Sequence, residues 1–150
     1  MEIRHYQPSD LAQISRLFYD TVHTINAADY SQEQLDVWAT GHLDLKAWNE
    51  SFLAQHTFVA VVNNEIAGFG DITTAGYLDR LYVHKDYQGR GIATALCNKL
   101  ENAAACDLFT THASITAKPF FERRGYRVIQ EQQVSRNGVE LTNYVMQKNR

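Results

Sequence analysis

The segment that most constrains this chain runs from Tyr77 to Thr94. It begins as the strand-like stretch Tyr77-Leu78-Asp79-Arg80-Leu81-Tyr82-Val83 and passes through the polar link His84-Lys85-Asp86-Tyr87. It ends as Gln88-Gly89-Arg90-Gly91-Ile92-Ala93-Thr94, which opens a helical pattern. Glycines allow backbone conformations that other residues avoid and let the chain approach a ligand closely. The first amides of a helix lack partners within it and carry the positive end of its dipole. A strand that feeds a glycine loop and then a helix is therefore a ready diphosphate site.

The flanking patterns fit one α/β domain over residues 1–150. Glu2 to Tyr6 reads as a strand. Pro8, Ser9 and Asp10 open a helix that puts Leu11, Ile14, Leu17, Phe18 and Val22 on one face. Ser31 and Gln34 form a capping box for a short helix through Trp38, and a second helix runs from Asp44 to Leu53. Phe58 to Val62 and Ile66 to Thr73 make a hairpin about Asn63-Asn64. After the strand Tyr77 to Val83, the pattern predicts a helix over 89–105, a strand over 108–112 and a helix over 116–124 stopped by Gly125. A last hairpin, Tyr126 to Ser135 and Val139 to Gln147, turns at Asn137-Gly138.

A formal net charge of −3 argues against a dedicated nucleic-acid binder, which needs a basic excess for phosphate contacts. No apolar run approaches the ~20 residues of a membrane span, and Met1 to Asp10 has no apolar signal core. Cys97 and Cys106 are held ~13 Å apart by helical rise, too far for a disulfide. A cytoplasmic protein with reduced thiols is expected. None of the six histidines stands at metal-ligand spacing with another or with a cysteine, so no metal is expected.

The loop itself separates the nucleotide-binding options. A P-loop needs Lys-Ser/Thr after its last glycine, and Ile92-Ala93 follow Gly91. A dinucleotide fingerprint needs a third glycine where Thr94 stands, which leaves a dinucleotide-binding oxidoreductase as the weakest option. Gln88-Gly89-Arg90-Gly91-Ile92-Ala93 instead resembles the Q/R-x-x-G-x-G/A signature with which the GNAT acetyltransferase superfamily holds the coenzyme A pyrophosphate. The preceding strand end, Leu81-Tyr82-Val83, is similar to that family, as is Phe120-Phe121-Glu122-Arg123-Arg124-Gly125-Tyr126. The order of elements agrees along the whole chain. The resemblance implies a mixed, mostly antiparallel central sheet of about seven strands flanked by helices.

It also implies acetyl-CoA as cosubstrate and a primary amine of a small molecule or protein as acceptor, attacking the thioester directly in a ternary complex. A homodimer is compatible with it. The carbonyl needs hydrogen-bond donors, the amine must lose a proton, and the thiolate must leave. The resemblance assigns the donors to backbone amides around Leu81, Tyr82 and Val83. It assigns the diphosphate to Gln88, Gly89, Arg90, Gly91, Ile92, Ala93 and Thr94.

The resemblance makes Asp79 the candidate base, at the place where many relatives carry an acidic residue that removes the amine proton through water. It lies four residues before Val83, and period-two alternation puts it on the face of Leu81 and Val83 unless a bulge intervenes. Among Tyr77, Leu78, Leu81 and Tyr82 it would be desolvated, whereas an Asp merely paired with a neighbouring cation would be structural. Phe121 stands where relatives often carry a proton-donating Tyr, so it is assigned to packing on the cofactor arm. Ser114 replaces a frequent Asn. A proton for the thiolate must then come from Tyr87, Tyr30 or water, or the thiolate leaves unassisted. Phe121 also keeps open a non-catalytic acyl-CoA sensor or interaction module. His23, Tyr30 and Trp38, in the aromatic insert after the first helix, are the candidate acceptor-binding residues, because the resemblance implies that this region lines the acceptor pocket. Arg123, Arg124, Arg127 and Arg136 read mostly as solvated surface, though Arg124 could meet a cofactor phosphate.

Overall fold

The computed structural model describes all 150 residues. Strand β1 is Glu2–His5, and a 3-10 turn at Pro8–Asp10 leads into α1, Leu11–Thr24. The insert forms α2, Gln32–Trp38, and α3, Leu45–Ala54. Strands β2, His56–Val62, β3, Glu65–Ile72, and β4, Tyr77–Val83, follow, then α4, Ile92–Ala103, β5, Leu108–Ser114, and α5, Lys118–Arg123. The chain ends in β6, Arg127–Arg136, and β7, Val139–Asn149. One sheet holds all seven strands in the order β1-β2-β3-β4-β5-β7-β6. Only β4 and β5 pair in parallel. That excludes the doubly wound parallel sheet of a dinucleotide-binding oxidoreductase.

Local signals explain the boundaries. Ser31 Oγ accepts from the Gln34 amide while the Gln34 side chain accepts from the Ser31 amide, which starts α2. Asp44 Oδ1 accepts from the Ala47 amide at 3.1 Å and starts α3. Asn63 and Asn64 both take positive φ, as do Asn137 and Gly138, the geometry tight hairpins require. The pattern places α4 from residue 89, but Gly89 and Gly91 take φ of 73° and 77°, so the helix begins only at Ile92. Conversely, β5 extends past His112 to Ser114 because β7 pairs with it that far, Ser114 against Asn143.

The two faces of the sheet carry separate cores. One packs α4 and α5 on the sheet through Leu96, Leu100, Phe109, Phe121 and Met146. The other packs α1, α2 and α3 through Ile14, Leu17, Leu35, Phe52 and Phe69. On the α4 side β3 carries no side chain at Gly68 and Gly70: a Cβ on Gly68 would lie 2.9 Å from Ile92 Cγ2, and one on Gly70 2.9 Å from Leu100 Cδ1. These glycines let α4 sit directly on the strand, which fixes where its N-terminus emerges. No helix is long and apolar enough to cross a membrane. Both cysteines are free, and burial pushes the Cys97 thiol up to about 12.

Candidate active site

The sheet opens between β4 and β5. The two strands pair only at Tyr77 with Thr110 and Leu78 with Thr111, and the Thr111 hydroxyl donates to the Leu78 carbonyl at 2.9 Å. Beyond that point β4 follows β3 and β5 follows β7, leaving a wedge. The His84 amide donates to Ala67 of β3 at 2.8 Å. Period-two alternation then turns the backbone groups of Leu81 and Val83 toward the wedge. Their side chains pack on the α4 side, whereas the Tyr82 ring lies on the other face, stacked on Phe69 with centroids 5.6 Å apart.

The wedge continues into a cleft of about 550 Å³. One end is the loop before α4. Gly91 is the N-cap and offers no side-chain cap, so the first amides of a 12-residue helix are unsatisfied, with no acidic residue in the first turn. A Cβ on Gly89 or Gly91 would meet nothing within 4 Å, so the space before these amides is open. Gln88, Gly89, Gly91, Ile92, Ala93 and Thr94 all line the cleft. The Gln88 side chain donates back to the Val83 carbonyl at 2.7 Å and so ties the loop to the strand. Arg90 does not line the cleft; its guanidinium lies 5.0 Å from the Tyr87 ring centroid.

Arg124, read as surface with a phosphate contact as an option, does not line the cleft. It donates to Glu101 at 2.8 and 3.1 Å and to Asn98 at 2.8 Å. Glu101 also accepts from Tyr126 at 2.8 Å and Lys148 at 2.6 Å. Burial opposes its ionisation, but these donors together hold it below the usual carboxylate range. The neighbouring Arg123 lines the cleft instead. The wall beyond it is α5, where Phe120 and Phe121 meet edge to face at 5.2 Å; Phe121 is only 3% exposed.

Asp79 is the one carboxylate in the cleft lining. Its expected register and desolvation are both corrected. Asp71 pairs with Arg80 and Ile72 with Leu78, so Asp79 is the extra residue of a bulge. Leu78 takes its place on the face of Leu81 and Val83, and Asp79 is exposed beside Arg80 Nη2 at 3.3 Å. The desolvated carboxylate is Asp71 on the next strand. It is 0% exposed, 3.5 Å from Arg80, and accepts from Gln55 at 2.6 Å. Burial pushes its carboxyl up to about 7, despite the opposing charge of Arg80.

Tyr30 and Trp38 line the cleft, meeting edge to face at 5.1 Å. His23 does not; its Nε2 is 2.8 Å from the Ala39 carbonyl and its ring lies against Tyr19, because it falls on the α1 face turned toward the end of α2. Neither tyrosine considered as a proton source has a free hydroxyl proton. Tyr30 donates to the Thr142 carbonyl at 2.6 Å and accepts from the Ile115 amide at 2.9 Å. Tyr87 donates to Glu65 at 2.8 Å. Arg136 and Asn143 also line the cleft. Sequence reasoning missed both, and no local motif marks them; β6 and β7 bring them there.

The uncapped N-terminus of α4, the splayed edges of β4 and β5 and the aromatic pair Tyr30 and Trp38 thus share one continuous cleft of an α/β fold. A family model described as an acetyltransferase (GNAT) domain matches residues 26–148, and the chain belongs to the GNAT acetyltransferase family. It is 36% identical over 146 residues to the uncharacterized N-acetyltransferase YafP of Escherichia coli (strain K12), covering 97% of this chain and 94% of YafP. A GCN5-related N-acetyltransferase from Rhodopseudomonas palustris superposes with a TM-score of 0.94 at 34% identity, covering 99% of this chain and 94% of that one. The PaiA N-acetyltransferase of Thermoplasma acidophilum, solved with coenzyme A, shares the fold at a TM-score of 0.80 and 16% identity, covering 99% and 98% of the two chains.

Proposed function

We propose that this protein transfers an acetyl group from acetyl-CoA to a primary amine of a small molecule or protein, by direct attack in a ternary complex. The observation that carries the reading is the convergence on one cleft of the uncapped α4 N-terminus, the unpaired β4 edge and the Asp79 carboxylate. The coenzyme A complex of PaiA, which has the same fold, supports the choice of ligand. In this reading the amides of Gly89 to Thr94 hold the diphosphate, with Arg123 beside them. The backbone of Leu81 and the amide of Val83 hold the arm and the thioester carbonyl, while Phe120 and Phe121 pack on it.

The acceptor nitrogen attacks the carbonyl carbon. The C–N bond forms as the C–S bond breaks, the electron pair leaves on sulfur, and Asp79 takes the amine proton directly or through water. Arg80 positions that carboxylate. No cleft side chain is assigned to protonate the sulfur, since position 121 is Phe and Tyr30 and Tyr87 are engaged. An alkyl thiol with a pKa of roughly 8.5 leaves readily enough without help.

Phe121 favours a second reading, a non-catalytic acyl-CoA sensor on the same fold. Calorimetric titration with acetyl-CoA, followed by measurement of released CoA across a panel of amines, separates the two. Binding with amine-dependent release is expected. Binding without release from any amine would favour the sensor, and no binding would overturn both.

A further inference from the structure

Four buried side-chain atoms have no hydrogen-bond partner: Asp71 Oδ1, Arg80 Nη1, Thr116 Oγ1 and Asn143 Oδ1. Two of them belong to residues that line the cleft, Thr116 and Asn143, whereas Asp71 and Arg80 do not line it and form the buried pair next to Asp79. Buried polar groups are ordinarily satisfied, so orphans facing a cleft mark where a ligand's polar atoms belong. Asn143 Oδ1 and the Asp79 carboxylate are acceptors, suited to the N–H groups of an amine.

The same cleft holds a cation with nothing to bind. Arg136, on β6 just before the Asn137-Gly138 turn, lines the cleft and takes part in no ion pair. Arg136 and Asp79 line the same cleft as Tyr77 and Tyr82. Tyr82 accepts from Trp38 Nε1 at 3.3 Å, and burial pushes its hydroxyl up to about 12. It therefore keeps a proton to donate. A guanidinium and a phenol suit a planar carboxylate, and the nearby Asp79 disfavours a more highly charged anion. Between the two poles, Tyr30 and Trp38 supply an apolar wall.

We propose that the acceptor is an α-amino acid, or a close analogue, with an apolar or aromatic side chain. Its amine turns toward Asp79 and Asn143, its carboxylate toward Arg136 and Tyr82. The inference rests on the acetyl-transfer reading above.

The test uses acceptor pairs that differ only by the carboxylate: phenylalanine and phenethylamine, tyrosine and tyramine, tryptophan and tryptamine. Released CoA gives kcat/KM for each. The amino acid of each pair should be preferred by about 10- to 100-fold, the effect of one charge-assisted hydrogen bond. Arg136→Gln should bring that ratio toward unity, mainly through KM, and Arg136→Lys should restore part of it. Arg127→Gln, an exposed change at the far end of the same strand, should leave the ratio intact. Equal kcat/KM within the pairs, or a ratio insensitive to Arg136, would overturn the inference while acetyl transfer stands. Turnover of neither member of any pair, in a protein that acetylates other amines, would also overturn it. Turnover of no amine at all would overturn the acetyl-transfer reading first.

Discussion

Asp79 Oδ2 lies 3.3 Å from Nη2 of Arg80, so the one carboxylate in the cleft is anchored by the residue that follows it in the chain. The same Arg80 nitrogen donates to Ser51 Oγ at 2.6 Å and sits 3.5 Å from Asp71. The guanidinium lies over the rings of Trp48 and Phe52, at 4.7 and 4.6 Å from their centroids. An exposed acid is thus tied to the interior through a largely buried cation.

If Asp79 takes the amine proton, Asp79→Asn should lower kcat by about 10²–10⁴-fold with acetyl-CoA affinity unchanged. The loss should shrink at high pH, where more of the acceptor is already deprotonated. Steady-state rates across pH decide this; wild-type turnover near neutrality would make Asp79 structural.

Gly91→Glu should abolish acetyl-CoA binding. The substitution puts a carboxylate before the unsatisfied amides of α4, where the diphosphate belongs. The site has room for a Cβ, and the positive φ of 77° costs only about 1–2 kcal/mol, so the fold should survive. Calorimetry on a variant that retains its circular dichroism checks both halves. Retained affinity would remove the diphosphate assignment.

Phe121 carries both core and cleft. Phe121→Tyr should leave turnover within a few-fold, because no proton donor is needed at that position. Phe121→Ala should lower stability by about 3–5 kcal/mol, since a ring packed against Phe120 and Tyr126 is lost, and should weaken acetyl-CoA binding as well. A hundredfold gain with Tyr would show that thiolate protonation limits the reaction and would favour the sensor reading.

Asp71 gives the fold a pH dependence of defined sign. Its carboxyl is raised from 3.8 to about 7, so between those values the folded chain keeps a proton that the unfolded chain has released. Its contribution to stability is present below about pH 4 and falls as pH rises toward 7, by up to about 1.4 kcal/mol per pH unit. Urea midpoints at about pH 5 and about pH 8 should therefore differ less in Asp71→Asn than in wild type. An equal difference in both proteins would count against the shift.

The loop was legible in the sequence because its chemistry is local. Gly89 and Gly91 must adopt positive φ, and a helix must start within three residues, so the motif and its geometry are one statement. Both hairpin turns were legible for the same reason. The surroundings of Asp79 were not, because its bulge depends on the register of β4 against β3, which no pattern within β4 records. Arg124 and Glu101 are 23 positions apart, and their pairing follows from how α5 packs beside α4. His23 lies outside the cleft because an amphipathic helix offers two flanks at its boundary, and the contact with Ala39 is set by the insert's path. Arg136 looked like an ordinary surface residue; only the fold of the last hairpin brings it to the cleft.

The meeting of β4 and β5 at just two residue pairs makes that junction the weakest backbone seam in the sheet. A cosubstrate arm seated in the wedge would occupy the position of an absent strand, bonding to edges the protein leaves open. Heat resistance then becomes a gauge of cosubstrate supply. A ligand that binds only the folded chain adds about 2.7 kcal/mol when it stands at about a hundred times its dissociation constant. The melting temperature of this protein should therefore rise and fall with the acetyl-CoA pool around it.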